Sequence, residues 1–545
     1  MSRKQEFQEY YTQEDYEDVM KILPDIIKEA EKKAGEVIEP TIHEKNAVMN
    51  TIKDYIRSKK RKVYGGTALN EALKAVNPKD AIYDEYKFSD IEFYSPTPVP
   101  DLVELTNLLY MKGFKHVVCR EAQHEETYTL FVNFQLYCDI TYVPTRVYRG
   151  IKTILIDGIE YVHPHFSLID LLRMFNDPLN AASQRWLKAF DRIYKLLKNY
   201  KLEYFDKSIN VPFPPESSQR IMKQIKTEFM LIKDVKETCL ISGFEAYNFF
   251  IKHAAMDRDV EQMARTSIEK KDLMNLVSNV PYMDLVSITY TDTVEKMYTF
   301  LKSNVDNPND IHIEEYFPLF QLTNYSVIFY YKDDPVVRIF EADGSCIPNI
   351  KTSRGYMYVS YQYLLMALMI NKFREFLNKD REMYFNYGIA ISNLVNVRNI
   401  YLNKRKLGVI NNTVFTEFKI SCVGSTVSYM RMSLLRGLEK IKKGKGGKFS
   451  YNPENFIDAQ GNVKTKFDPT KHHFRNSSGN LIMNSKNLLF RIDSNGNITR
   501  TSRDYDEEDE KDEDEKGEEK GDDDKDEKKD EYEDDDEKDE KKGDE

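Results

Sequence analysis

The spacing of hydrophobic positions divides the first part of the chain into helical and extended segments. Apolar residues recur at helical spacing over 14–33 and 43–60, with Pro24 as an interruption or a helix start. The next segment, "RKVYGGTALNEALKAV" (61–76), predicts a short strand, a glycine turn and a helix with Thr67 as its N-cap. A helical N-terminal region therefore leads into a strand–turn–helix unit.

The segments that follow alternate in the manner of strands. "KFSDIEFYS" (87–95) predicts a strand, 101–113 predicts a helix, and three extended runs fill 115–143. A hairpin-like pair at 151–162 then leads into further helices. This order predicts a small mixed α/β domain of the α+β kind, because a doubly wound sheet would require regular strand–helix alternation.

Length and composition predict several domains. At 545 residues and 64.1 kDa the chain is too long for one hydrophobic core. We expect an N-terminal helical region (1–60), a first α/β domain (61–200), a second domain (201–450), a C-terminal extension (451–503) and an acidic tail (504–545).

The net charge of −11 hides two opposite parts. The tail carries 28 acidic residues and nine lysines, which leaves 70 basic and 62 acidic residues in 1–503. A mildly basic body fits an anionic partner such as nucleic acid. The tail has almost nothing to bury, so we expect it to be disordered. It either solubilises the protein or competes with RNA for the basic surface.

The cysteines and the apolar segments indicate where in the cell the protein is expected. The cysteines, at 119, 138, 239, 346 and 422, form an odd set without a CxxC pair, which favours a reducing compartment over disulfides or structural zinc. The segment "YLLMALMI" (363–370) is too short to cross a bilayer, and the first 20 residues lack the apolar region of a secretory signal. We expect neither a membrane partner nor secretion.

Three acids stand in strand-like surroundings and form the candidate site. Asp90 and Glu92 share one face of a predicted strand, and Asp139 lies in the later strand "LYCDITY". Three converging carboxylates can hold two Mg²⁺ or Mn²⁺ ions for phosphoryl transfer. The backbone at Gly65 and Gly66, with the Thr67 hydroxyl, can approach a triphosphate. Taken singly, each of these features is more often a turn or a solvated face, and the ordered set carries the argument.

This ordered set resembles the nucleotidyltransferase superfamily, and "YGGTALNEAL", "FSDIEFYS" and "LYCDITYVP" resemble the poly(A) polymerase catalytic subunits of poxviruses and giant viruses. The resemblance implies that Asp90 and Glu92 bind both metals, that Asp139 binds the catalytic one, and that AMP passes from ATP to an RNA 3′ end. It implies viral mRNA polyadenylation in the virion or host cytoplasm. Poxvirus relatives work with a cap-methyltransferase partner, whereas a giant-virus relative is expected to form a homodimer. The 24 positions from Gly66 to Asp90 exceed the usual gap, so the insert must loop out.

The region after residue 230 repeats the plan in weakened form. "TCLISGFEAYNFFIKHA" (238–254) predicts a strand, a small-residue turn and a helix, as 61–76 does. In "YMDLVSITY" (282–290), Asp284 is followed by Val286, so the acid pair is lost, and 334–344 has no central acid. We predict a degenerate nucleotidyltransferase-like domain that cannot bind metal. The alternative is chance similarity in a chain rich in leucine and tyrosine.

Basic residues supply further candidates. In "SQRWLKAFDRIYKLLK" (183–198), four basic residues lie at helical spacing and can meet a triphosphate or an RNA backbone: Arg185, Lys188, Arg192 and Lys195. The resemblance favours Arg185 and Lys188. The lysines of "EKIKKGKGGKFS" (439–450) predict a mobile RNA-binding loop, with Lys442, Lys443 and Lys445 as its candidates. A solvated helix face and a surface loop are the alternatives.

Two other functions stay open at this point. A nucleotidyltransferase that acts on tRNA ends or on a small hydroxylated molecule would share the three acids. A non-enzymatic RNA-binding or virion subunit would not need three converging carboxylates.

Overall fold

The same strand order occurs twice in the computed structural model. The described residues are 10–83, 89–124, 126–179, 185–205, 207–256, 272–442, 448–468, 490–492 and 498–500. They fall into two units, Met1–Leu488 and Leu489–Glu545. The second unit contributes one described hairpin, 490–492 with 498–500, and all the other described elements belong to the first unit.

Two N-terminal helices precede the first sheet, as the sequence predicts. They are α1 (Gln13–Val37) and α2 (Ile42–Lys59). Thr12 and Asp15 cap α1 reciprocally, which fixes its start. Pro24 lies inside α1, so it neither starts nor interrupts that helix.

The first repeat comprises seven strands and the helices between and after them. Its elements are β1 (Lys62–Tyr64), α3 (Gly65–Val76), β2 (Ile91–Ser95), α4 (Pro98–Met111), β3 (Val118–Glu121), β4 (Thr127–Val132), β5 (Gln135–Tyr142), α5 (Thr145–Gly150), β6 (Thr153–Ile156), β7 (Ile159–Val162), α6 (Pro164–Arg173) and α7 (Trp186–Asn199).

The second repeat follows the same order. After α8 (Glu216–Thr227) and α9 (Lys233–Thr238), its elements are β8 (Cys239–Ser242), α10 (Gly243–Met256), β9 (Met283–Ser287), α11 (Tyr290–Asn304), β10 (Ile311–Tyr316), β11 (Ser326–Tyr331), β12 (Asp334–Glu341), β13 (Cys346–Lys351), β14 (Met357–Val359), α12 (Tyr361–Leu377) and α13 (Arg381–Arg405). The remaining elements are β15 (Cys422–Gly424), α14 (Tyr429–Lys442), β16 (Ser450–Tyr451), β17 (Phe490–Ile492) and β18 (Ile498–Arg500).

The two sheets have equivalent topology. The first runs β16-β3-β4-β5-β2-β1-β7-β6 and the second β10-β11-β12-β9-β8-β14-β13-β15. In both, the first two strands of the repeat pair antiparallel, and the second pairs parallel with the fifth. The prediction of a mixed α/β fold with a related second copy is therefore confirmed by the strand order.

The core of the first repeat lies on one face of its sheet. Alternation sends Ile91 and Phe93 into a buried cluster with Val63 and Ile140, and α2 and α4 cover that cluster. Glu92, between Ile91 and Phe93, must then point to the opposite face. The packing of the core thus fixes the face on which the acids stand.

One expectation about the cysteines is wrong. Cys346 on β13 and Cys422 on β15 form a disulfide across neighbouring antiparallel strands, 76 residues apart in sequence. No local spacing marked this pair, because sheet pairing alone brings the two residues together. Cys119, Cys138 and Cys239 are buried free thiols. The cysteine argument for a reducing compartment therefore loses its basis.

A search of the described helices for a membrane-spanning segment finds none that is both long enough and apolar enough.

Candidate active site

The glycine turn between β1 and α3 is shaped around Glu92. Gly65 has φ +71°, a conformation that glycine adopts without strain. A Cβ at Gly65 would lie 1.7 Å from Oε2 of Glu92. The next residue, Gly66, donates its backbone N–H to the same oxygen at 3.1 Å. The turn therefore holds a carboxylate at the N-terminus of a helix, where the helix dipole favours negative charge.

Thr67 is not the N-cap residue that the sequence predicts, and its contact with the triphosphate stays a prediction. Helix α3 begins at Gly65, and Tyr64 is its N-cap residue without a side-chain cap. The Thr67 hydroxyl instead donates to the backbone carbonyl of Asp90 at 2.9 Å. It ties α3 to the segment that enters β2, and so it positions Asp90.

The acids meet through strand register. Glu92 on β2 pairs directly with Asp139 on the parallel strand β5, and Asp139 pairs with Thr129 on β4. On the other side Glu92 pairs with Tyr64. Directly opposed residues share a face of a sheet. We call this line of residues, from Tyr64 through Glu92 and Asp139 to Thr129, the acid row; Asp90 immediately precedes β2.

The electrostatics of the acids reflect their crowding. Burial first, and then the charge of Asp90, raise the pKa of Glu92 to about 7, although the hydrogen bond from the Gly66 N–H lowers it. Burial also raises the pKa of Asp139, although the hydrogen bond from Thr129 lowers it, and Asp90 again raises it. The carboxylates are thus close enough to repel one another. A cation between them would relieve that repulsion.

The side chains currently bind protein donors. Glu92 accepts from Gly66, and Oδ1 of Asp139 accepts from Oγ1 of Thr129 at 2.6 Å. Within the described ranges, no group of three or more His, Cys, Asp or Glu side chains is positioned to hold a metal ion. The oxygen donors still suit Mg²⁺ or Mn²⁺. Ligation would require Glu92 and Asp139 to exchange these hydrogen bonds for a metal.

Arg192 on α7 reaches the glycine turn. Its guanidinium Nη2 donates to the Tyr83 hydroxyl at 2.7 Å, and a Cβ on Gly66 would lie 2.9 Å from the same nitrogen. Its Nε is buried and has no hydrogen-bond partner among the described residues. An orphaned guanidinium nitrogen beside a helix N-terminus is suited to an anion.

The family resemblance had favoured Arg185 and Lys188 over Arg192. Both lie exposed at the start of α7, and their roles stay predictions. Helical spacing made four basic residues candidates, but it could not tell which one faces α3: Arg185, Lys188, Arg192 and Lys195. Tyr83, which anchors Arg192, carried no sequence signal.

The insert before Asp90 folds against the site as far as it is described. Asn70 on α3 accepts the backbone N–H groups of Ile82 and Tyr83 at 2.8 and 3.0 Å. Asp80 accepts from Lys198 and Asn199 at the end of α7. The insert therefore packs on α3 and α7 up to Tyr83, and residues 84–88 lie outside the described ranges.

The predicted lysine loop is only partly within those ranges. Lys442 is exposed at the end of α14, whereas Lys443 and Lys445 lie outside the described residues.

The second repeat shows what replaces the acids. Ser242 pairs with Asp284, as Tyr64 pairs with Glu92, so Asp284 is the equivalent of Glu92 rather than of Asp90. Arg338 pairs with Asp284 at the position of Asp139. Its Nε and Nη2 donate to Oδ1 and Oδ2 of Asp284 at 2.8 and 3.1 Å. A buried ion pair thus stands where the first repeat has two carboxylates.

Comparisons with known proteins agree with this geometry. The family of the poly(A) polymerase catalytic subunit matches residues 50–181, and the family of the C-terminal part of the APMV poly(A) polymerase catalytic subunit matches residues 216–492. The two matches cover both repeats.

Individual relatives extend over most of the chain. A protein of Acanthamoeba polyphaga mimivirus, described as a poly(A) polymerase catalytic subunit, is 57% identical over 509 residues, 91% of this chain and 87% of that protein. One from African swine fever virus (strain Badajoz 1971 Vero-adapted), described in the same way, is 30% identical over 201 residues, 37% of this chain and 40% of that protein.

A solved structure matches the whole architecture. The crystal structure of the Megavirus polyadenylate synthase superposes with a TM-score of 0.85 at 57% identity and covers 93% of this chain and 99% of that chain. The resemblance inferred from the glycine turn and the acid strands is confirmed. The chain therefore belongs to the family of viral poly(A) polymerase catalytic subunits, and as a member of that family it is a polynucleotide adenylyltransferase.

Proposed function

We propose that this chain is a template-independent poly(A) polymerase, which adds AMP from ATP to RNA 3′ ends by two-metal nucleotidyl transfer. The acid row beside the glycine turn carries the proposal. Glu92 and Asp139 are directly paired on parallel strands, Asp90 precedes them, and a helix N-terminus opens next to Glu92. Non-enzymatic RNA binding would have no use for this arrangement.

The carboxylates fit two Mg²⁺ or Mn²⁺ ions in their chemistry. They are oxygen donors, and burial together with the charge of Asp90 has raised the pKa of Glu92 and of Asp139. Asp90 and Glu92 would hold both ions, and Asp139 the catalytic one. When bound, such ions activate the RNA hydroxyl and neutralise charge on the phosphates.

The turn and its surroundings would bind the triphosphate of ATP. The backbone of Gly65 and Gly66 at the start of α3 allows close approach, and the helix dipole favours the phosphates. Arg192 adds positive charge at the same point, and its buried Nε has no hydrogen-bond acceptor among the described residues. Thr67 holds the backbone of Asp90, so its contribution is to fix the distance between the triphosphate and the acids.

Asp139 would receive the proton of the attacking hydroxyl. Thr129 engages Oδ1, so we assign the proton to Oδ2. The bond that forms joins the RNA 3′ oxygen to the α-phosphorus of ATP, and the bond that breaks releases pyrophosphate. The residues supply position and charge, and no covalent enzyme intermediate is needed.

The biological setting follows from the family. We propose that the reaction polyadenylates viral mRNA in the virion or in the host cytoplasm, and that the chain acts as a homodimer. Lys442, Lys443 and Lys445 would add RNA affinity. Light scattering on the purified chain tests the dimer, and a mass of one chain would refute it.

Primer extension tests the reaction itself. The purified chain is incubated with a labelled oligo(A) primer, each of the four NTPs in turn, and Mg²⁺ or Mn²⁺. We expect extension with ATP, and its loss in Asp90→Ala and Asp139→Asn with the fold intact. The control is Asp306→Asn, because Asp306 is an exposed acid that pairs with Arg220 in the second repeat. Failure to extend with any NTP refutes the function, and normal extension by Asp139→Asn refutes the site.

A further inference from the structure

The acid row continues beyond Asp139 to a basic residue. Asp139 pairs with Thr129, and Thr129 pairs with Arg120 on β3. Directly opposed residues share a face, so Arg120 projects on the same face as Asp139, two strands or about 10 Å away. The row therefore has two ends. One end is the glycine turn beside Glu92, and the other is Arg120.

Apolar side chains lie next to Arg120 on that face. Phe131 stands two residues after Thr129 on β4 and pairs with Leu136 on β5 across a register shift. Leu136 is 41% exposed, and Phe131 is partly exposed. The guanidinium carbon of Arg120 lies 4.5 Å from the centroid of the Phe131 ring. An arginine thus rests on an accessible aromatic ring about 8 Å along the sheet from Asp139.

A second aromatic pair lies near Phe131, where β4 ends and β5 begins. Phe134, at the β4–β5 turn, is 78% exposed and stacks on His116 with ring centroids 4.5 Å apart. An aromatic side chain exposed to this degree has lost little water on folding, so its ring is available to another partner.

We propose that Arg120, Phe131 and Leu136, here named the primer face, hold the last nucleotides of the RNA 3′ end. The inference rests on the proposed function and deepens it. A phosphate behind the reactive 3′ hydroxyl binds Arg120, and a base stacks on Phe131 and Leu136. Single-stranded RNA is the occupant that this chemistry fits, because it combines regularly spaced negative charge with stacking surfaces.

The two ends of the acid row separate the two substrates. The triphosphate takes the end at Gly65 and Gly66, where a helix N-terminus and Arg192 converge. The RNA hydroxyl must reach Asp139 from the other direction, since α3 covers the first. The primer face lies in that direction and is continuous with Asp139.

The neighbouring strand brings more positive charge to the same edge. Ser450 on β16 pairs with Arg120 on β3. The end of the lysine-rich segment, with exposed Lys448, is thereby fixed beside the primer face. The second repeat has Glu314 at the position of Arg120, since Glu314 pairs with Ile328 and Ile328 with Arg338. At this position of the row, the first repeat therefore has a basic residue and the second repeat an acidic one.

Binding and kinetics of point variants test the primer face. The dissociation constant of a labelled oligo(A) primer is measured by fluorescence anisotropy on the full chain without nucleotide, and KM for ATP is measured separately. We expect Phe131→Ala to weaken primer binding at least about fivefold. We expect Arg120→Ala to weaken it about five- to tenfold and to reduce the slope of log K against log salt by about 0.7, as loss of one phosphate contact would. KM for ATP should change less than twofold in both.

Matched controls remove the same groups elsewhere. Arg220 has a half-exposed guanidinium and Phe213 a 75% exposed ring, both away from the acid row in sequence and sheet. Arg220→Ala and Phe213→Ala should bind the primer as the unaltered chain does. Phe131→Tyr keeps the aromatic ring and should restore most of the affinity if Phe131→Ala is also less stable.

Photocrosslinking locates the RNA directly. A primer with 5-iodouridine as its second nucleotide from the 3′ end should crosslink to a peptide that contains Phe131. The inference is overturned if Arg120→Ala and Phe131→Ala fold and bind the primer with unchanged affinity, whether or not their KM for ATP is raised. A crosslink confined to other strands overturns it as well. If the unaltered chain adenylates no RNA, the proposed function fails, whereas weakened primer binding by these variants would still support the face.

Discussion

Replacing Gly65 by alanine tests whether the turn holds Glu92 in place. Two effects follow from the structure. Alanine at φ +71° costs about 1–2 kcal/mol of strain. The new Cβ would also lie 1.7 Å from Oε2 of Glu92, so the carboxylate must move by more than 1 Å. A misplacement of that size at a reacting centre can reduce a rate about 100-fold.

Two control glycines separate these effects. Gly113 has φ +89° with nothing within 4 Å of its Cβ direction, so Gly113→Ala adds strain without a clash. Gly243, at φ +59°, is the equivalent of Gly65 in the second repeat, and its Cβ would lie 2.2 Å from Oδ2 of Asp284. Gly243→Ala therefore reproduces the clash in the second repeat, away from Glu92 and Asp139.

The assay combines thermal unfolding with single-turnover primer extension well below the Tm of each variant. The backbone strain that Gly65→Ala and Gly113→Ala share should lower the Tm of both by a few degrees. Gly243→Ala should lower Tm further, because it disturbs a buried ion pair. Only Gly65→Ala should lose about 100-fold in rate. A Gly65→Ala variant with normal rate, or a Gly243→Ala variant with the same loss, would refute the reasoning.

Three further predictions concern other parts of the chain. Arg338→Met should lower the free energy of unfolding by about 3–5 kcal/mol in thermal or denaturant unfolding, because it leaves Asp284 buried without an ion-pair partner. The double variant Arg338→Met with Asp284→Leu should recover most of that loss. Arg192→Ala should raise KM for ATP at least about tenfold and leave primer affinity unchanged. An equal rise in KM for ATP in Arg185→Ala would show that the wrong residue has been assigned to the turn. The disulfide between β13 and β15 predicts that the unfolded, unreduced chain titrates three thiols, and five would contradict it.

Alternation and local turn chemistry were enough to locate the acids. Ile91 and Phe93 are core residues, so Glu92 had to face away from the core, and the glycine pair could only be a tight turn. The order of these parts along the chain also predicted that they would meet. Strand pairing then supplied what the order could not, namely that Glu92 and Asp139 are direct neighbours.

Features that depend on strand register or on packing between helices could not be predicted from the sequence. In the sequence, Asp284 resembles the first acid of a lost pair, equivalent to Asp90. Only its pairing with Ser242 shows that it corresponds to the second acid, Glu92. The choice of Arg192 among the basic residues of α7 depends on how that helix rotates against α3. The pairing of Cys346 with Cys422 depends on an edge strand 76 residues away.

The second repeat explains why one copy alone is assigned the reaction. Both repeats place a positive-φ glycine against a carboxylate, so the turn serves the fold as well as the chemistry. What differs is the next position along the row, where Arg338 replaces Asp139. A buried arginine that donates to both oxygens of Asp284 balances the charge of that carboxylate, so no net negative charge remains there for a metal to neutralise. Burial and the charge of Asp90 raise the pKa values of Glu92 and Asp139 in the first repeat, and within the described residues neither of these two carboxylates is hydrogen-bonded to an arginine. The same sheet topology therefore carries a buried ion pair in one copy, whereas in the other it leaves two carboxylates that, under the proposed function, would meet metal ions and substrate.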